Sequence, residues 1–175
     1  ELMSIPIYAL VGFDRRKLRS NEAALKYFLI GSFASAVLLY GVALLYGTTG
    51  STSLMALRVG FDPSNPLAVI GIGLGLVGFA FKISSVPFHQ WTPDVYEGAP
   101  AAVTAFMSVT VKTAAVAALL RVLGLGLGPL DDTLVNVLWV LAALTMVVGN
   151  RMAVIQDNVK RLLAYSSIGH AGYLL

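Results

Sequence analysis

The stretch GLGLVGFAFKISSVPFHQWTPDVYEG, residues 73–98, places a lysine inside an apolar run that is followed closely by a proline. Lys82 is the only charged residue of this stretch before Asp94. Pro87 lacks a backbone N–H, and its ring clashes with the carbonyl group of Ile83, so a helix that contains Lys82 has to kink or end just after it. The stretch therefore predicts a membrane helix that breaks next to a charged side chain.

The whole chain has the composition of a membrane protein. Of its 175 residues, 57% are hydrophobic and 12% are charged, and the mean hydropathy is +0.80. A helix that crosses a hydrocarbon core of about 30 Å needs roughly 20 mainly apolar residues. We predict an all-α, polytopic membrane helix bundle that forms a single membrane domain over 1–175, with spans at about 1–13 (partial), 22–46, 67–88 (broken), 101–123, 132–150 and 161–175 (partial). The partial spans at both ends indicate a piece of a longer protein.

Basic residues flank the predicted spans and do not form one continuous patch. They concentrate in segments 14–22 and 151–161, which are therefore expected on the cytoplasmic side of a bacterial inner membrane. The net charge of +3 follows from this topology, so no nucleic-acid partner is expected. The chain has no cysteine and two histidines, so we expect no metal site and no cofactor in it. Residues 89–98 are expected to form a connection with a solvated face.

Three ionisable residues fall at mid-membrane depth on three different predicted spans: Glu1, Lys82 and Lys112. Such groups are costly in a bilayer and usually serve transport. A structural ion pair is the alternative, but we favour a proton relay, because a lysine changes its proton affinity when a carboxylate approaches or leaves it. The helix break at Pro87 supports this, since broken helices at membrane depth line cavities or ion sites.

Two further residues are weaker candidates for proton transfer. Lys26 lies near the start of its span, where it is equally well explained as an interfacial lysine that pairs with Glu22. His170 lies in the last span and is a relay member or a partner in a helix–helix hydrogen bond. The glycine pattern formed by Gly73, Gly75 and Gly78 is interpreted as helix packing, because no strand precedes it as a dinucleotide site requires.

The segments ELMSIPIYAL, EAALKYF, FKISSVPFHQWTPDVYEGAP and KRLLAYSSIGHAGYLL, with the span around Lys112, closely resemble the antiporter-like proton-pumping subunits of respiratory complex I. Within that family the resemblance is greatest to the subunit-N branch. It implies an inverted-repeat antiporter-like fold with proton-transfer roles for Glu1, Lys82 and Lys112, and matching positions for Lys26 and His170.

The resemblance further implies a membrane subunit of a proton-translocating NADH:quinone oxidoreductase, with no redox site of its own. NAD, FMN, iron–sulfur clusters and quinone are expected in partner subunits, and the chain itself is expected to contact other membrane subunits, the lipid bilayer and internal water. Three alternatives stay open: a stand-alone cation/proton antiporter, a related complex that uses plastoquinone, ferredoxin or a deazaflavin, and a purely structural membrane subunit.

Overall fold

The computed structural model describes residues 2–128 and 130–175, and all regular secondary structure in them is helical. This confirms the predicted all-α fold class. Two π-helical segments, π1 and π2, continue directly into the α-helices next to them. In chain order the elements are α1 (Ser4–Val11), α2 (Leu18–Thr49), α3 (Leu54–Gly60), α4 (Pro66–Ile83), α5 (Trp91–Gly98), α6 (Ala101–Phe106), π1 (Met107–Val111), α7 (Lys112–Arg121), π2 (Val122–Leu127), α8 (Asp132–Val154) and α9 (Val159–Leu174).

Four helices in the described part of the chain are long and apolar enough to cross a membrane: α2, α4, α8 and the continuous helix 101–127. The helix α2 extends beyond the predicted range 22–46 at both ends, so Arg19 lies in its first turn and not in a loop. It ends where Gly50 adopts a φ of 68°, a left-handed conformation that glycine tolerates best.

The expectation of a solvated connection over residues 89–98 is wrong for most of that segment. Residues 91–98 form α5, in which Trp91, Val95 and Tyr96 are buried. These three residues recur at helical spacing, while Asp94 and Glu97 lie on another face of the helix. The segment is therefore an amphipathic helix whose apolar side belongs to the core.

The break predicted from Pro87 is confirmed at the C-terminal end of α4. Ser84 has a φ of 64°, in the left-handed region that residues other than glycine rarely adopt. The backbone N–H groups of Ser84 and Ser85 donate to the carbonyl groups of Phe81 and Ala80, at 3.1 and 2.8 Å. The carbonyl groups exposed by the break are thus partly satisfied within the chain.

Glycines allow two pairs of helices to approach closely. A Cβ atom built on Gly41 of α2 would lie 2.7 Å from the carbonyl oxygen of Gly71 and 2.9 Å from the nitrogen of Gly75, both on α4. Together with the Cβ position of Gly78, which would lie 2.6 Å from the Cβ atom of Leu38 on α2, this contact confirms the packing interpretation for Gly75 and Gly78 but not for Gly73, where a Cβ atom would have no described atom within 4 Å. A Cβ atom on Gly149 of α8 would lie 2.6 Å from the backbone nitrogen of Gly169 on α9. The backbones of these helices are therefore in direct contact.

An aromatic cluster joins the first half of the chain. The ring of Tyr27 stacks on Trp91 with a centroid distance of 4.7 Å, and Tyr8 meets Tyr27 edge to face at 4.7 Å. The indole N–H of Trp91 donates to the carbonyl oxygen of Phe81 at 3.2 Å. Because these residues come from α1, α2, α4 and α5, the cluster fixes the two halves of the broken helix against their neighbours.

Candidate functional site

Lys82 lies in the last turn of α4, immediately before the helix break. Its ammonium group donates to the hydroxyl oxygen of Ser4 on α1 at 2.6 Å. Ser4 is buried, so the hydrogen bond is shielded from solvent. Glu1, the predicted partner of Lys82, lies outside the described residues. The contact with Ser4 was not predicted from the sequence, because a single serine in an apolar helix has many possible partners.

Lys112 is the most deeply buried charged side chain in residues 2–128 and 130–175, with 7% of its surface exposed. Its ammonium group donates to the hydroxyl oxygen of Ser167 at 2.7 Å and to the carbonyl oxygen of Ser167 at 2.9 Å. No carboxylate in the described ranges forms an ion pair with it. Lys112 is therefore held on α9 by uncharged oxygen atoms only.

The π-helical segment π1 ends directly before Lys112. A π-turn adds a residue to the helical repeat and so changes the direction of the side chains that follow it. Such segments occur frequently at functional sites. Nothing in the sequence of π1, MSVTV, indicated this distortion in advance.

Hydroxyl groups close the helix break around Ser84 and Ser85. The hydroxyl of Thr92 on α5 donates to that of Ser84 at 2.8 Å. The hydroxyl of Thr145 on α8 lies 2.8 Å from that of Ser85 and accepts the backbone N–H of Val86 at 3.0 Å. The four hydroxyl-bearing residues, Ser84, Ser85, Thr92 and Thr145, are all fully buried. The break is thus bridged by direct hydrogen bonds from two other helices.

Charged residues meet at one end of the bundle in what we call the end cluster, formed by Arg19, Glu22 and Lys26 of α2, Asp94 and Glu97 of α5, and Arg161 of α9. One guanidinium nitrogen of Arg161 lies 2.7 Å from a carboxylate oxygen of Asp94 and 3.1 Å from one of Glu97. Arg19 contacts Glu97 from the other side at 3.1 Å. The cluster therefore ties three helices together, which the sequence did not predict.

The end cluster affects the protonation of Asp94. Partial burial alone would raise the pKa of this carboxyl group, but the hydrogen bonds from Arg161 and Lys26 outweigh it. The net effect is a pKa below the ordinary value of 3.8. Asp94 is therefore ionised under physiological conditions.

Lys26, a weaker candidate, belongs to the end cluster. Its ammonium group lies 2.7 Å from a carboxylate oxygen of Glu22, one turn earlier on α2, and 3.1 Å from one of Asp94. The predicted pair with Glu22 is confirmed. The side chain of Lys26 is 45% exposed, in clear contrast to that of Lys112.

His170, the other weaker candidate, lies on an exposed face of α9. Its ring meets that of Tyr173 edge to face at a centroid distance of 5.6 Å. Lys112 binds the same helix at Ser167, which is partly buried. In the part of the chain that the structure describes, no three histidine or acidic side chains come together in a way that could hold a metal ion.

The chain is similar to known membrane subunits. The chain is 53% identical, over 180 aligned residues, to NADH-quinone oxidoreductase subunit N of Trichlorobacter lovleyi, and the comparison covers 100% of this chain and 37% of that relative. The chain thus spans about a third of the length of the curated relatives it matches.

Two solved structures have a similar fold. A chain of respiratory complex I from Thermus thermophilus with bound aureothin is 50% identical, with a TM-score of 0.82 over 97% of this chain and 36% of that one. A chain of the Mrp complex from Dietzia sp. DQ12-45-1b is 29% identical, with a TM-score of 0.88 over 96% of this chain and 32% of that one. The family model described as "NADH:quinone oxidoreductase/Mrp antiporter, TM" matches residues 1–175. This chain belongs to that family of membrane subunits.

Proposed function

We propose that the chain is part of a proton-translocating membrane subunit of an NADH:quinone oxidoreductase and that Lys82 and Lys112 carry the protons. The observation that supports this best is the environment of Lys112, which is buried and bonded to two uncharged oxygen atoms of Ser167. A buried charge without a counter-charge is costly. Such a lysine is well suited to give up and regain a proton during turnover.

Lys82 has a related environment, because its ammonium group binds the buried hydroxyl of Ser4 beside the helix break. Helix breaks of this kind mark ion sites in membrane transporters. We propose that Glu1 modulates the proton affinity of Lys82, since a nearby carboxylate favours the charged form of a lysine. Lys26 and His170 are secondary candidates, for entry of protons at the end cluster and for transfer along α9.

The likeness to subunit N of Trichlorobacter lovleyi supports a role in coupling to redox chemistry that takes place elsewhere. We propose that NAD, FMN, iron–sulfur clusters and quinone belong to partner subunits and that this chain contacts other membrane subunits, lipid and internal water. We further propose a bacterial inner membrane location in which segments 14–22 and 151–161 face the cytoplasm.

The test replaces each lysine in the full-length protein that contains this segment. Lys82→Ala and Lys112→Ala should leave an assembled complex, as judged on a native gel, and abolish both NADH-driven proton pumping and coupled NADH:quinone turnover. Lys17→Ala is the matched control, because the side chain of Lys17 is 75% exposed and, among residues 2–128 and 130–175, forms an ion pair only with Asp14. Normal pumping by Lys82→Ala or by Lys112→Ala would refute the proposed role of the lysine that was replaced.

The likeness to the Mrp complex from Dietzia favours a second candidate function, cation/proton antiport without electron transfer. The two functions are separated by one further measurement on the same vesicles. A redox-coupled pump acidifies vesicles on addition of NADH, whereas an antiporter dissipates an imposed pH gradient when Na⁺ or K⁺ is added. If only the cation pulse has an effect, the antiporter assignment replaces the first proposal.

A further inference from the structure

An apolar cavity of about 230 Å³ lies between several helices near the C-terminal end of α2. Its walls come from α2, α3, α4 and residues 119–127, which belong to α7 and π2. Along α2 it extends from Leu38 to Thr49, which is roughly 16 Å at 1.5 Å per residue. An apolar cavity of about 150 Å³ already holds a benzene molecule, so this one has room for a length of hydrocarbon chain.

A glycine on α4 leaves part of this space open. Ile72, Gly75 and Phe79 line the cavity from one face of α4. The backbone nitrogen of Gly75 faces Gly41 of α2, but a Cβ atom built on Gly75 would have no described atom within 4 Å. The direction in which a side chain at position 75 would point is therefore empty, and a larger residue there would occupy the cavity.

The end of the cavity beyond Tyr46, which we call the mouth, is polar. Thr49, Ser51, Thr52 and Ser53 line it where the chain passes from α2 to α3. Tyr46 also lines the cavity and is 53% exposed, so the cavity is accessible from the surface of the bundle. Tyrosine is enriched where a membrane meets water. The cavity thus has an apolar interior and a mouth suited to the interface of the bilayer.

Arg58 places a positive charge beside the mouth. It follows Leu54, which lines the cavity, by one turn of α3, so both side chains lie on the same side of that helix. A Cβ atom on Gly128, which follows the lining residue Leu127, would lie 3.4 Å from the Nε atom of Arg58. Arg58 is exposed, and none of the ion pairs within residues 2–128 and 130–175 includes it. Its charge is therefore available to an anionic ligand.

We propose that the cavity binds one acyl chain of an anionic phospholipid whose phosphate group contacts Arg58. A phospholipid matches both parts of the site, because it joins a hydrocarbon chain to a negative charge. A membrane-spanning helix from elsewhere in the full-length protein consists mainly of apolar residues, so it would fill the cavity without supplying a charge for Arg58. Lys82 and Lys112 do not line the cavity, so this inference is independent of their proposed role.

The test uses the full-length protein in its assembled complex, reconstituted into phosphatidylcholine vesicles. The vesicles contain a small admixture of phosphatidylglycerol with a diazirine on one acyl chain, or of phosphatidylcholine with the same labelled chain. After illumination, the crosslinked peptides are identified by mass spectrometry. We expect crosslinks in segments 38–49, 72–79 and 119–127. Phosphatidylglycerol should label them about fivefold more than phosphatidylcholine, which is the preference that one basic side chain near an anionic lipid provides.

Two pairs of variants separate the cavity from the charge. Gly75→Leu should fill the cavity and abolish these crosslinks. Gly73→Leu is the matched control, because a Cβ atom at position 73 also has no described atom within 4 Å but Gly73 does not line the cavity. Arg58→Gln should lower the crosslinking of phosphatidylglycerol to that of phosphatidylcholine, and Arg58→Lys should retain the preference because it retains the charge.

Three results would overturn the proposal. If neither lipid crosslinks to these segments, another part of the protein covers the cavity. If both lipids label the wild type equally, the site does not select an anionic headgroup. If Gly75→Leu is labelled like Gly73→Leu, the acyl chain lies outside the cavity. Should Gly75→Leu not assemble, Arg58→Gln decides, because that side chain is exposed, and a preference for phosphatidylglycerol that persists in this variant refutes the site.

Discussion

The contact between α8 and α9 at Gly149 and Gly169 gives a sharp prediction about stability. A Cβ atom at position 149 would lie 2.6 Å from the backbone nitrogen and 2.9 Å from the Cα atom of Gly169. Both atoms belong to the backbone and cannot rotate away as a side chain can. An ordinary contact begins at 3.4 Å, so Gly149→Ala has to move the helices apart by about 0.8 Å.

The magnitude follows from two opposing effects. Overpacking of a tight interface costs about 1–3 kcal/mol. Replacement of glycine by alanine inside a helix stabilises the folded state by about 0.5–1 kcal/mol, because alanine loses less backbone entropy on folding and has the higher helix propensity. We expect a net loss of about 1–2 kcal/mol for Gly149→Ala. Gly73→Ala should show only the stabilising effect of alanine, because a Cβ atom at position 73 would have no described atom within 4 Å.

The assay is thermal unfolding of the full-length protein in detergent, followed by tryptophan fluorescence. The wild type, Gly149→Ala and Gly73→Ala are measured under one set of conditions. The midpoint should fall for Gly149→Ala and stay equal or rise for Gly73→Ala. If both variants shift in the same direction by the same amount, steric contact at position 149 is not the cause and the argument from backbone proximity is refuted.

Two further predictions concern the helix break and the end cluster. Thr145→Val keeps the shape of the side chain but leaves the buried N–H of Val86 without its acceptor. It should therefore reduce the free energy of unfolding by about 1–3 kcal/mol. Thr110→Val, on an exposed face, is the control and should have little effect in the same assay. Because the folded pKa of Asp94 is lowered, its stabilising contribution is present above the ordinary pKa of 3.8 and is lost as the pH falls through the folded pKa. The difference in thermal midpoint between wild type and Asp94→Asn should therefore shrink on acidification, and a difference independent of pH would contradict this assignment.

The all-α fold class could be predicted from the sequence because long apolar runs have few alternatives in a bilayer. The helix break was predictable for a local reason, since Pro87 removes a hydrogen bond and clashes within its own chain. The helix α5 was missed because membrane spans are predicted from long apolar runs. This segment has only eight residues, and two of them, Asp94 and Glu97, are charged. Its apolar residues are spaced for burial, which a search for short amphipathic helices would detect.

For the candidate site, the sequence indicated which residues are unusual but not what they contact. A lysine in an apolar run stands out by itself, so Lys82 and Lys112 were found from composition and spacing. Their partners Ser4 and Ser167 were not, because serine is common in membrane helices and the pairing depends on how distant helices pack. The role of Thr145 at the break was hidden for the same reason.

Under the proposed function, the placement of charges would let the bundle keep its structure while Lys112 loses and regains a proton. All ion pairs in residues 2–128 and 130–175 lie in the end cluster or between Lys17 and Asp14. There, ionised partners neutralise one another, so a change in one charge would disturb the packing of three helices. Lys112 instead bonds to uncharged oxygen atoms, so the loss of its proton leaves no carboxylate without a partner among those residues. Paired charges thus hold three helices together at one end of the bundle. Lys112 lies away from them, where a change of its charge disturbs the helix packing least.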